Sequence, residues 1–113
     1  MSEPEPSVED LLDDANGDLA VGELDSAAAK FRRATELAPS HFDAWHALGM
    51  SLMRAGDLKG ALGAALMATD LQPNDLLAWT SLSQIYVKLG QIAEAETAKG
   101  NARILSLGGK IVR

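Results

Sequence analysis

At 113 residues, 47% of them apolar and 4% aromatic, and with a net charge of −6, the chain makes one domain with a modest core. It has no cysteine, which excludes disulfides, thiolate metal sites and a cysteine nucleophile. Alanine is abundant, and because it is the best helix former and lets helices approach closely, the composition suits stacked helices better than a sheet sandwich.

Residues 1–6, MSEPEP, are acidic and proline-containing and are expected to be disordered. They lack the basic and apolar regions of a signal peptide, and the longest apolar stretch, Gly60 to Ala68, is too short to span a bilayer; a cytoplasmic protein is expected. A first helix is expected from about Ser7 to Val21, with Ser7 as N-cap and Glu9 and Asp10 in the first turn. Gly22 stops it as a left-handed residue would. A second helix runs from about Asp25 to Leu37, and Pro39 prevents its continuation. The third, Phe42 to Ala55, stops at Gly56, and the fourth, Lys59 to Leu71, is closed by Pro73. The fifth, Leu76 to Leu89, stops at Gly90, the sixth covers Ala93 to Ser106, and residues 110–113 form a tail.

Trp45 and Trp79 stand 34 residues apart, and most of what lies between recurs at that interval. Leu48 returns as Leu82; Gly22, Gly56 and Gly90 form one series, and Ala27, Ala61 and Ala95 another. Ala34, Ala68 and Ala102 form a third, Leu37, Leu71 and Leu105 a fourth, and Pro39 pairs with Pro73. This period, carrying W-x2-L-G, then A, A and P, resembles the tetratricopeptide repeat, most closely in FDAWHALGMSLMRAGDLKGALGAALMATDLQP, residues 42–73. The resemblance implies an all-α, right-handed α-solenoid of three helix–turn–helix repeats over residues 7–109, bounded at about 8–41, 42–75 and 76–109. The first helix of each repeat is its A helix and the second its B helix.

Apolar positions within a repeat have helical spacing: Trp45, Leu48, Leu52 and Ala55 mark one stripe, and Ala61, Leu62, Ala65 and Ala68 the facing one. Stacked neighbours bury such stripes, and alanine at 27, 61 and 95 permits close approach of A to B helix. Both tryptophans read as packing between repeats. The first A helix departs from the pattern. Asp14 and Asp18 stand where the second repeat has Leu48 and Leu52, and its own stripe is Val8, Leu11, Leu12, Ala15 and Leu19. With Gly17 in its middle, it reads as a polar cap. In the third repeat Leu107 replaces the proline and Lys99 the Phe31 of the first; Ala95, Ala98, Ala102 and Leu105 are expected to meet water unless a second copy or partner covers them.

Charge is segregated. No Lys or Arg precedes Lys30, a stretch holding Glu3, Glu5, Glu9, Asp10, Asp13, Asp14, Asp18, Glu23 and Asp25. After Glu96 there is no acid, while Lys99, Arg103, Lys110 and Arg113 follow. In a solenoid this makes one end negative and the other positive, which keeps repeat ends soluble, draws copies head to tail or docks a charged partner. The basic end is too small, and the net charge too negative, for a nucleic-acid site.

No enzyme is legible. His41 and His46, the only histidines, have no Ser or Cys partner in a known motif, and no H-E-x-x-H occurs. Gly60 and Gly63 precede no Gly-Lys-Ser/Thr and read as close-packing residues in a helix. Asp14, Asn16, Asp18, Val21 and Asp25 have the spacing of a calcium loop, but Leu19 replaces its turn glycine, Asp25 its bidentate Glu, and the repeat phase demands a helix there. A solvated acidic helix is the expected reading, with no metal or other cofactor.

In arrays that the chain resembles, A helices line a concave groove that holds partners. Carried over by position, the groove begins at Asn16, centres on Asp43, His46, Ala47, Met50, Met53 and Arg54, and ends with Leu77, Thr80, Ser81, Gln84 and Lys88. The methionines offer adaptable apolar contact; Asn16, Ser81 and Gln84 offer hydrogen bonds to a partner backbone, and Arg54 and Lys88 pair with acids. Family members that clamp the acidic tail of heat-shock chaperones need Lys and Asn, Asn, then Lys and Arg at positions that here read Leu12, Asn16, Ala47, Leu77 and Ser81. Only the asparagine matches, so that co-chaperone role is not expected. The expectation is a non-catalytic interaction protein, an adaptor or assembly chaperone binding a protein or peptide, with neither nucleic acid nor membrane as partner. The alternative is a structural assembly subunit that self-associates or docks through an uncapped C-terminal helix and charged ends.

Overall fold

The structure, a computed structural model, describes residues 4–111 and contains six α-helices. They are α1 (Val8–Ala20), α2 (Leu24–Leu37), α3 (Phe42–Ala55), α4 (Leu58–Leu71), α5 (Leu76–Lys88) and α6 (Ile92–Ser106). Each packs mainly on its neighbours in sequence, and the fold is a helical solenoid of 52 × 26 × 20 Å. No helix among the described residues is long and apolar enough to cross a membrane. Residues 1–3 and 112–113, with parts of the acidic start and the basic tail, lie outside the described residues.

Local chemistry sets the helix ends. Ser7 Oγ accepts the Asp10 N–H at 3.1 Å, and Asp57 and Asp75 accept from Gly60 and Ala78, each at 2.9 Å. His41 caps α3 the same way, its Nδ1 accepting the Ala44 N–H at 3.2 Å. Glu23 and Gln91, with longer side chains at the equivalent starts of α2 and α6, make no side-chain cap. The A helices turn through Gly22, Gly56 and Gly90 at φ of 80°, 90° and 78°, left-handed values that glycine adopts without a Cβ clash. Gly108 repeats the device at φ 88° after α6, where the other B helices meet a proline loop.

The core is mostly alanine. Ala27, Ala61 and Ala95 are buried where A and B helices meet, and Phe31 and Ile85 are the largest fully buried apolar side chains. Gly49 has the backbone of Ala61 and Ala65 and the Cβ of Ala64 about it, so it is the glycine of close approach. Gly60 and Gly63 are not. Gly60 sits under the capping carboxylate of Asp57, and Gly63 has open space where a Cβ would stand. Trp45 and Trp79 are half-buried, packed on the core with the indole N–H donating to Pro39 and Pro73 carbonyls at 2.7 and 2.8 Å. Every buried side-chain nitrogen or oxygen among the described residues has a hydrogen-bond partner.

Two expectations about edges change. Ala95 and Ala98 do not meet water: they face α5 and are buried, while Ala102 and Leu105 are half-buried. The outward face of α6 carries Glu96, Lys99, Gly100 and Arg103 instead. Ala55, assigned to the apolar stripe of α3, is exposed at the helix end.

Candidate functional site

The A helices are α1, α3 and α5, and α3 touches α5 directly as well as the B helices between. On α3, Asp43 and Arg54 are exposed, and His46, Ala47, Met50 and Met53 are half-buried. The His46 ring stacks on Phe42, one helical turn away, with centroids 5.6 Å apart and planes at 11°. Met53 packs its stem against the main core. Arg54, one helical turn beyond Met50, lines a shallow depression at the α1–α2 turn with Glu23 and Asp25 on its rim.

On α5, Leu77 is 66% exposed, the largest apolar surface that any of the twelve groove residues offers. Gln84 and Lys88 are exposed, and Thr80 is half-buried with its hydroxyl donating to the Leu76 carbonyl at 2.9 Å. Ser81 is turned inward at 8% exposure, so it has little surface for a partner. Thr80, Gln84 and Lys88 come together with Ser83, Val87, Glu96, Lys99 and Ala102 around a cleft of about 470 Å³ between α5 and α6. Asn16 is exposed on α1, at the other extreme of the array.

The acidic string on α1 is continuous helix from residue 14 to residue 20. Asp18 reaches α2, accepting from Ser26 Oγ at 2.7 Å and standing 2.9 Å from Lys30 Nζ. Lys30, then Ser26, hold its carboxyl below the ordinary carboxylate range, and Asp18 in turn raises the Lys30 ammonium. Glu5 makes a second bridge, to Arg33, whose guanidinium it raises. No group of three or more His, Cys, Asp or Glu side chains among the described residues is placed to hold a metal.

One feature of the opposite face escaped sequence reading. A cleft of about 520 Å³ runs between α4 and α6 over a floor of Trp79, Leu82 and Tyr86, with Gly63, Leu66 and Met67 on one wall. Its signal is in the repeat: Leu66 and Met67 replace Arg32 and Arg33, 34 residues earlier.

A family model described as Tetratricopeptide repeat matches residues 12–76 and 46–104. No curated protein matches the chain. Among solved structures, one of MamA superposes with a TM-score of 0.86 at 22% identity, over 90% of this chain and 60% of that one. A CopN-Scc3 complex gives 0.83 at 20% identity, over 87% of this chain and 58% of its own. A second MamA structure gives 0.82 at 22%, over 88% and 54%. The chain therefore spans about three-fifths of the length of the first two, and these likenesses establish the fold.

Proposed function

The chain belongs to the tetratricopeptide-repeat family, and from that footing we propose that it holds a partner protein's extended or helical segment along its A-helix surface. It works as an adaptor or assembly chaperone, without catalysis. The observation that carries this reading is Leu77: an apolar side chain two-thirds exposed on α5, which touches the helix bearing Met50 and Met53. A large apolar group left in water on a surface edged by Gln84, Lys88 and Asp43 fits a groove that gains by covering it. Met50 and Met53 adapt to the covering side chain, and Gln84 supplies a donor and an acceptor to its backbone. Met50, Met53, His46, Arg54, Leu77 and Gln84 are the contacts of this reading. That a complex, CopN-Scc3, shares the fold is in keeping with partner binding.

The test compares pull-downs from native lysate by wild type and by a Met50→Glu/Gln84→Ala variant whose helicity matches it. A partner captured by wild type and lost by the variant supports the groove. Equal capture by both overturns it, whatever the partner is.

A further inference from the structure

We propose that copies of this chain stack end to end, the outward face of α6 in one copy receiving α1 of the next, in the register by which its own repeats pack. Such stacking rests on charged positions outside the A-helix groove, Asp10, Asp14, Lys99 and Arg103, and shares with the groove only the Thr80, Gln84 and Lys88 wall of the α5–α6 cleft.

Within the chain, α2 packs on α3 and α4 on α5, and the same repeat positions are buried on both sides of each junction. The incoming A helix brings Ala44, Leu48 and Ser51 on α3, and Ala78, Leu82 and Ile85 on α5, all buried. The receiving B helix brings Phe31 and Thr35 on α2, and Ala65 and Thr69 on α4, again all buried. The same repeat positions on α1 are Asp10, Asp14 and Gly17, and on α6 they are Lys99 and Arg103. All five are exposed. The face of α1 that meets no preceding helix among the described residues is thus acidic at the junction positions, and the face of α6 with no following helix among them is basic.

Solubility alone would be served by any sign at either end. Opposite signs at matched positions do more: a copy stacked in register sets Lys99 and Arg103 against Asp10 and Asp14, with Asp13 beside them. Glu96 lies on the receiving face as a like charge to the incoming acids, and Lys88 at the edge of the same cleft offsets it. Apolar surface is present to be covered. Val87 is 55% exposed and flanks that cleft with Ala102. Beyond their own helix backbone, Gly17 and Gly100 have open space where a Cβ would stand, which leaves room for long side chains to meet.

The test is sedimentation velocity of the full chain at roughly 20 mM and roughly 500 mM salt, with two charge-reversed variants of verified helicity. One carries Lys99→Glu and Arg103→Glu, the other Asp13→Lys and Asp14→Lys. Wild type is expected to associate with rising concentration at low salt and to lose this at high salt. Each variant alone sets like charges face to face and is expected to remain monomeric. An equal mixture restores opposite signs and is expected to associate about tenfold more tightly than either variant alone. Wild type monomeric at both salts overturns the proposal, as does association that survives either reversal, or a mixture no better than its components.

Discussion

The indole N–H of Trp79 donates to the carbonyl of Pro73 at 2.8 Å, tying the first turns of α5 to the loop that ends α4. Trp45 makes the same bond to Pro39, so the pair is a feature of the repeat and not of one site. The ring is half-buried, which lowers its weight below that of a fully enclosed tryptophan. Trp79→Ala should cost about 2–4 kcal/mol, against the roughly 3–5 of a complete core ring. Trp79→Phe, which keeps an aromatic ring but loses the fused pyrrole and its donor, should cost about 1–2 kcal/mol. Urea unfolding of both variants checks this, and a Phe variant as stable as wild type would show the bond to be idle.

Two glycines of the second repeat should respond oppositely to alanine. A Cβ on Gly49 meets Ala61, Ala64 and Ala65 at ordinary contact distances of 3.5–3.6 Å, so Gly49→Ala should stabilise by about 0.5–1 kcal/mol through helix propensity. Gly56 has open space around it but a φ of 90°, so Gly56→Ala should destabilise by about 1–2 kcal/mol. Thermal unfolding of the pair would reveal whether backbone angle or neighbouring atoms set the tolerance.

The Asp18–Lys30 bridge has a pH window. Asp18 titrates below its usual 3.8, so between the two values the unfolded chain binds more protons, and the bridge's contribution is lost as pH falls through the lowered value. Lys30 titrates above its usual 10.5, so the contribution also fades as pH rises through that raised value. The stability gap between wild type and Asp18→Asn should therefore be widest from about pH 4 to pH 10 and close below it. A gap independent of pH across the acid range would mean that the carboxylate does not hold α1 to α2.

A missing cap can be supplied. Asp57 caps α4, whereas Gln91 at the equivalent start of α6 makes no side-chain bond to the helix. Gln91→Asp should stabilise by about 0.5–1 kcal/mol and raise hydrogen-exchange protection in the first turn of α6. Unchanged protection there would indicate that the turn already finds its partners elsewhere.

The helix ends were legible because their signals lie within a few residues: Ser7 at the first start, and the glycine turns and proline loops at the stops; the caps at Asp57 and Asp75 emerged only from the structure. Most sequence-read boundaries fall within a residue of those observed. What covers an apolar face was harder. Ala95 and Ala98 read as exposed because repeat spacing marks a small-residue face without saying which neighbour it meets, and they meet α5. Gly60 and Gly63 read as packing glycines because helical glycine suggests close approach, yet Gly49 alone of the three has that surround. Among groove residues, Ser81 turns inward while Leu77, four positions earlier, stands in water. Family position assigns both to one surface; only the local rotation of α5 separates them.

The loops Ala38–His41 and Gln72–Asp75 leave one helix and enter the next at nearly the same backbone angles, with φ/ψ of −137°/79° and −133°/81° at Ala38 and Gln72, and −85°/102° and −92°/117° at His41 and Asp75. A chain that leaves one repeat and enters the next through the same joint is quantised in length. Duplicating residues 42–75 in tandem would thus lengthen the rod by one whole unit without asking any existing helix to move, and the added unit would fold on contacts already close in sequence.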